Sequence, residues 1–349
     1  CIRDRILILS FYSVIAGICL NYIFIAATSA GAIDSAEQFG NIISSPLNLL
    51  AWHTLFMFLT ATIVSAGINN GIGRMVKILM PMLGVLLIFM VINGILSGGF
   101  ARAFSFLFAP DFSEVDSNTF LSAMGQAFFS LSLGMGSIMA YGAYMPKEQK
   151  IIPTSFTVAS LDTLVAIFAG LAIFPIIFAF GLEPNSGPGL VFESLQTAFN
   201  QMSYGQIVGP LFFILLSVAA LSSSISLLEP GVAFISEEGF MSRKLAAISI
   251  SLLTWTLGIG TVLSFNLWSD FNLTPGRNFL DSMDFIANQI LLPLGGMLIA
   301  IFVGWFMDKN LINEEIGHVN PILFGIWRFF VKFIAPISVA IIFYNAIFG

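Results

Sequence analysis

Charge is what this sequence has least of. Only 9% of its 349 residues are Asp, Glu, Lys or Arg, and 13 Lys and Arg against 19 Asp and Glu leave a formal net charge of -6. With no basic surface to neutralise phosphates, nucleic-acid binding is excluded. Cysteine is scarce too: Cys1 and Cys19 have no spacing that would hold zinc or exchange a dithiol. Of the two histidines, His53 lies in an apolar run and reads as packed between helices, and His318 lies in a connecting loop. Neither has the paired serine motif of an intramembrane serine protease, and an aspartyl protease needs two facing acids where only Asp162 sits deep in a span. No ring-forming filter sequence of a channel is present. Trp (5) and Tyr (6) are few beside 37 Phe, a balance suited to lipid-facing and interhelical packing rather than base stacking.

What is present in excess is apolar length. With 57% hydrophobic residues and a mean hydropathy of +0.95, the chain is too apolar for a soluble domain of its size and reads as an all-α polytopic membrane protein. At about 20 apolar residues per crossing, spans fall near 6–29, 47–68, 76–97, 119–143, 154–181, 208–235, 245–264, 281–306 and 321–348, nine in all. Arg3, Arg5, Arg74, Lys77, Lys147, Lys150, Arg243, Lys244, Lys309, Arg328 and Lys332 sit at or beside alternate connections, and only Arg102 and Arg277 on the other side. Basic residues stay cytoplasmic, so the start of the chain is expected in the cytoplasm and its end outside. The external segments 31–46, 98–118, 182–207 and 265–280 carry turn formers such as Gly187-Pro188-Gly189 and Thr274-Pro275-Gly276, and amphipathic pieces such as Leu190 to Phe199. They read either as lids over a pathway or as solvated connectors. The chain opens at Cys1 with no cleavable signal pattern, and an N-terminal portion is expected to be missing.

One crossing is unusual. In Met124 to Tyr144, Ser130, Ser132, Gly134 and Gly136 crowd the centre of an otherwise apolar run. A helix broken there must line something polar, because hydrocarbon satisfies no released backbone group. The glycines alone equally fit a helix packed closely through small residues. Asp162, about two turns into its span, is either a structural acid or an oxygen ligand for a hard cation. Glu229 lies nearer a membrane end, where capping or pairing is the plainer reading. Ser222, Ser223 and Ser224 either bond back onto the preceding turn or face an ion together with its carbonyls.

The stretches GQAFFSLSLGMGSIMAYGAYM, LDTLVAIFAGLAIFP, GPGLVF and ALSSSISLLEP followed by SEEGFMSRK resemble the neurotransmitter:sodium symporter family, closest to its bacterial eleven-helix amino-acid transporters. The resemblance runs the length of the chain and corresponds to the third through eleventh helices, so residues 1–349 would be one transporter domain lacking the first two. It implies the LeuT fold, with inverted repeats around a mid-membrane site bounded by unwound helices, and it makes the span near 119–143 one of these.

Further implications of the resemblance are residue by residue. Ile8, Tyr12, Phe129, Ser132, Met135, Ser223 and Leu227 would contact the substrate. Met135 stands where most relatives carry an aromatic. Sodium (Na+) would be held at one site by Ser130 and Asp162, and at a second by Ala219 through its carbonyl with Ser222 and Ser223; Gln126 would join the first polar cluster. Many relatives have asparagine at the position of Asp162 and need chloride, so the built-in charge predicts chloride independence. Asp284 and Glu237 resemble the acids of the external and cytoplasmic gates, although each also reads as an ordinary acid at a helix end. The expected function is sodium-coupled symport of a neutral, hydrophobic or aromatic amino acid by alternating access in a plasma or inner membrane. The alternative is a non-transporting membrane fragment with a structural or interaction role, because the first helix would supply half of the sodium oxygens.

Overall fold

The computed structural model describes residues 2–28, 34–113, 115–143, 145–146, 148–184, 187–317 and 320–348, so Cys1, Lys147 and His318 lie outside the described residues. Eight helices among the described residues are long and apolar enough to cross a membrane: Ile2–Thr28, Pro46–Ser65, Ile68–Leu96, Ile151–Ala179, Gly205–Glu237, Arg243–Ser264, Phe279–Phe306 and Pro321–Asn345. Each overlaps one of the apolar runs in the sequence. The remaining run divides into helix Ser117–Ser130, a non-helical stretch over 131–136, and helix Ser137–Ala143.

Local chemistry sets the helix ends. Asp116 accepts the Thr119 amide while the Thr119 hydroxyl accepts the Asp116 amide, a capping box that starts Ser117–Ser130. Pro46 occupies the first turn of its helix, where a missing N–H costs nothing. Pro81, Pro175, Pro210 and Pro230 lie inside helices, which membrane helices tolerate when neighbours satisfy the freed carbonyls. The segments between spans are more ordered than their turn-rich composition indicates. They hold helices Ser35–Ile43 and Phe100–Phe108, and Thr274-Pro275-Gly276 closes a two-stranded ribbon, Asn272–Thr274 with Arg277–Asn278, in which Gly276 takes φ +72°.

The chain forms two compact units. One comprises Leu9–Asp111 and Val165–Ser282. Its centre is aromatic: Tyr22 is fully buried, with ring centroids 4.9 Å from both Phe192 and Phe213, and Phe199 and Phe212 extend the cluster. Glycines let its backbones meet. A Cβ on Gly94 would lie 2.6 Å from the Leu171 carbonyl oxygen, and one on Gly258 would lie 2.5 Å from the His53 ring. His53 is itself fully buried, its Nε2 3.2 Å from the Trp255 carbonyl, so it is an interhelical packing residue as its setting in the sequence indicates.

The other unit comprises Cys1–Ile8, Phe112–Leu164 and Met283–Gly349. Three π-helical stretches, Phe285–Leu291, Phe302–Phe306 and Phe330–Ile334, widen its helices. Such wide turns release carbonyls for other donors.

Gly258→Ala is expected to lower stability by about 1–3 kcal/mol through overpacking against His53. Gly84→Ala, where an added Cβ meets nothing within 4 Å, should be neutral or slightly stabilising. Thermal unfolding of both variants in detergent checks the contrast; equal effects would contradict it.

Candidate functional site

The interruption at 131–136 is written in three left-handed residues. Helix Ser117–Ser130 closes with the amides of Leu131, Ser132 and Leu133 donating to the carbonyls of Ala127, Phe129 and Phe128. Ser132 then takes φ +54°, Gly134 +84° and Gly136 +73°. For serine such a conformation costs roughly 1–2 kcal/mol, so surrounding contacts have to hold it. Gly134 supplies one of them: a Cβ there would lie 2.5 Å from the Leu292 carbonyl oxygen and 2.8 Å from the Gly296 nitrogen. Glycines 295 and 296 answer from the facing helix, where a Cβ on Gly295 would lie 2.7 Å from the Gly134 carbonyl oxygen.

The released backbone finds a partner. Arg5 Nε donates to the Met135 carbonyl at 2.6 Å, with Arg5 only 2% and Met135 4% exposed. Basic-residue counting treats Arg5 merely as a marker of sidedness. The structure buries it instead, because a carbonyl without a helical donor is a strong acceptor in an apolar setting.

The last residue before the interruption carries the chemistry. The Ser130 hydroxyl is 2.7 Å from both Asp162 carboxylate oxygens, across 32 positions of sequence. One O–H donates to the pair. The hydroxyl lone pairs and the remaining carboxylate lone pairs stay available as hard oxygen ligands, the kind alkali and alkaline-earth cations take. In the same unit, a cavity of about 300 Å³ is lined by Gln126, Phe129 and Asp284 together with Asn288, Gln289 and apolar residues including Leu292 and Ile342. Asn288 Nδ2 donates to Asp284 at 2.7 Å. These two amides were not among the candidates; the spacing Asp284 to Asn288, one helical turn, was the available signal.

In the other unit, the three serines behave differently from one another. Ser222 Oγ donates to the Ala219 carbonyl at 2.8 Å, drawing two oxygens together on one turn. Ser224 donates to Leu221 and meets Thr60 Oγ1 at 2.8 Å, inside the core. Ser223 is exposed, and Tyr12 packs on Ala16, Phe56 and Ala220. Leu227, one turn on from Ser223, is half-buried. Ile8 is buried in the unit that holds the interruption. Glu237 is exposed at the end of its helix. Glu229, 1% exposed, pairs with Arg243 at 2.5 Å, and the same guanidinium donates to the Val64 carbonyl at 3.3 Å, so this acid is an ion-pair partner near a helix end.

Comparison with known proteins gives this geometry a context. Residues 38–349 match the sodium:neurotransmitter symporter family. The chain belongs to that family. It is 35% identical over 350 residues to an uncharacterized sodium-dependent transporter, YhdH, of Bacillus subtilis, covering 98% of this chain and 77% of the relative. An uncharacterized sodium-dependent transporter of Haemophilus influenzae is 34% identical, covering 98% of this chain and 76% of its own length. Among solved structures, MhsT in complex with L-phenylalanine superposes with a TM-score of 0.90 at 44% identity, covering 99% of this chain and 79% of MhsT. This member of the symporter family is therefore a multi-pass membrane protein with the LeuT fold, and a sodium-coupled transporter rather than an enzyme.

Gly134→Ala is expected to cost at least about 1–2 kcal/mol, since alanine cannot relax at positive φ and meets backbone within van der Waals distance. It should lower the unfolding temperature and abolish sodium-driven uptake. Gly142→Ala, whose Cβ meets nothing within 4 Å, should do neither, and parallel thermal and uptake measurements compare the two.

Proposed function

We propose that this transporter, as one domain over residues 1–349, carries a neutral hydrophobic or aromatic amino acid inward with sodium by alternating access, and needs no chloride. The observation that carries the reading is the Ser130–Asp162 contact at the edge of an interrupted helix. A fixed carboxylate beside a hydroxyl offers sodium both charge and hard oxygens, and supplies in the protein the negative charge that chloride would otherwise bring.

The roles assigned are these. Ser130 and Asp162 bind one sodium ion, with Gln126 in the surrounding polar cluster. The Ala219 carbonyl and the hydroxyls of Ser222 and Ser223 bind a second. Phe129, Ser132 and Met135 contact the substrate from the broken span, and Ile8, Tyr12, Ser223 and Leu227 contact it from the other helices. Methionine is flexible and polarisable, so Met135 would let the pocket take side chains of several shapes; L-phenylalanine, found in the complex of MhsT, is one. Asp284 and Glu237 serve as gate acids.

Coupling follows from differential affinity: sodium bound beside the unwound stretch stabilises the outward-facing state that accepts substrate. Each charge falling through 100 mV contributes about 2.3 kcal/mol, so two ions per zwitterion support a steep gradient. The asymmetry of Lys and Arg supports a cytoplasmic start in a plasma or bacterial inner membrane.

The test is uptake of labelled L-phenylalanine into proteoliposomes. Uptake should require a sodium gradient and be unchanged when gluconate replaces chloride. Asp162→Asn should either impose a chloride requirement or abolish uptake, and Ser269→Cys should react with an impermeant maleimide from the outer face. Chloride-free uptake that survives Asp162→Asn unaltered would refute the assignment.

A further inference from the structure

Among the described residues, two cations of the last spanning helix have no ion-pair partner. Arg328 and Lys332 lie about 10 and 16 Å along Pro321–Asn345 from its first residue. Lys332 sits in the π-helical stretch Phe330–Ile334, facing a second one, Phe302–Phe306, that carries Gly304 and Trp305. The backbones come close enough that a Cβ on Gly304 would lie 2.9 Å from Lys332 Cα. Trp305 Nε1 donates to the Lys332 carbonyl at 3.1 Å, and Arg328 Nη2 donates to the Gly304 carbonyl at 3.3 Å. These bonds fix the Trp305 ring and the Arg328 guanidinium against the facing backbones.

What they leave over is positive charge. The Lys332 ammonium lies 3.8 Å from the Trp305 ring centroid and 5.6 Å from that of Phe333, and ring faces attract a cation without taking its hydrogen bonds. Arg328 Nη1 is buried with no acceptor. Neither residue forms an ion pair among the described residues. Asp308, two residues beyond Phe306 in the chain, is engaged, its carboxylate accepting the amides of Asn310 and Leu311 at a helix start. An uncompensated cation at membrane depth is costly. Helical side chains lean toward the N-terminus, so both cations reach toward the Pro321 end of the span, where headgroups lie. Around them Trp305, Phe306 and Phe329 are more than half exposed, a surface for acyl chains.

The geometry points to a binding site for one anionic phospholipid, its phosphate taking the donors of the Lys332 ammonium with the Arg328 guanidinium adding positive charge behind it, and its chains lying over Trp305 and Phe329. Charge complementarity selects an anionic over a zwitterionic lipid. The site is separate from the transport reading and does not depend on it.

The test is thermal unfolding of the purified chain in mixed micelles titrated with phosphatidylglycerol or phosphatidylcholine. Phosphatidylglycerol should stabilise more. Its apparent affinity should fall about fivefold in Lys332→Met, as expected for one lost charge at a membrane surface, and stay near wild type in Lys332→Arg. Equal stabilisation by the two lipids, an unchanged affinity in Lys332→Met, or full stabilisation by glycerol 3-phosphate alone would overturn the proposal. Should Lys332→Met not fold, dibrominated phosphatidylglycerol should quench wild-type tryptophan fluorescence more than the phosphatidylcholine analogue, and Trp305→Phe should remove the excess. No excess in the wild type would overturn it equally.

Discussion

Hydrocarbon offers no hydrogen bonds, and the central features of this chain answer that constraint. A helix satisfies its own backbone; an interrupted one has to find donors and acceptors elsewhere, at several kcal/mol for each group left bare. Residues 131–136 meet the demand with particular partners. Arg5 donates to the Met135 carbonyl, and Gly134 lets the backbone press against the glycine pair at 295 and 296. The conformation is thus held by its neighbours, which is how a serine remains at φ +54°.

An interruption so held leaves Ser130 at a helix end, where its hydroxyl is free of the preceding turn and reaches Asp162. Elsewhere in the chain, spanning-helix hydroxyls such as Thr60, Thr254 and Ser222 return to the carbonyl three or four residues back. The contrast marks Ser130 as a residue whose oxygen is directed outward by the break. Paired with a carboxylate, it sets hard oxygens beside the interrupted backbone, the chemistry on which the proposed sodium site rests.

The crossings were legible in the sequence because apolar length alone determines them, and the interrupted span was legible as a cluster of small and hydroxyl residues. Asp162 stood out because a carboxylate is expensive where it lies. Its contact with Ser130 was accessible only through family resemblance, since no local pattern links positions 32 residues apart. Arg5 was legible only as a topological marker, because counting cations does not show which of them an acceptor draws inward. The ribbon at 272–278 escaped notice because strands this short carry no periodicity. The π-helical stretches were equally silent: no residue type encodes a widened turn. Asn288 fell below notice because a single amide in a polar-tinged helix is common until a cavity beside it gives it a role.

The central claim is that Asp162, oriented with Ser130 by the unwound stretch, is itself a sodium ligand. Infrared difference spectroscopy of the purified protein, exchanging potassium for sodium, observes that carboxylate directly. The account predicts a sodium-induced shift of a carboxylate stretching band that disappears in Asp162→Asn and persists in Asp284→Asn. A difference spectrum with no carboxylate band, or one unchanged by Asp162→Asn, would contradict it.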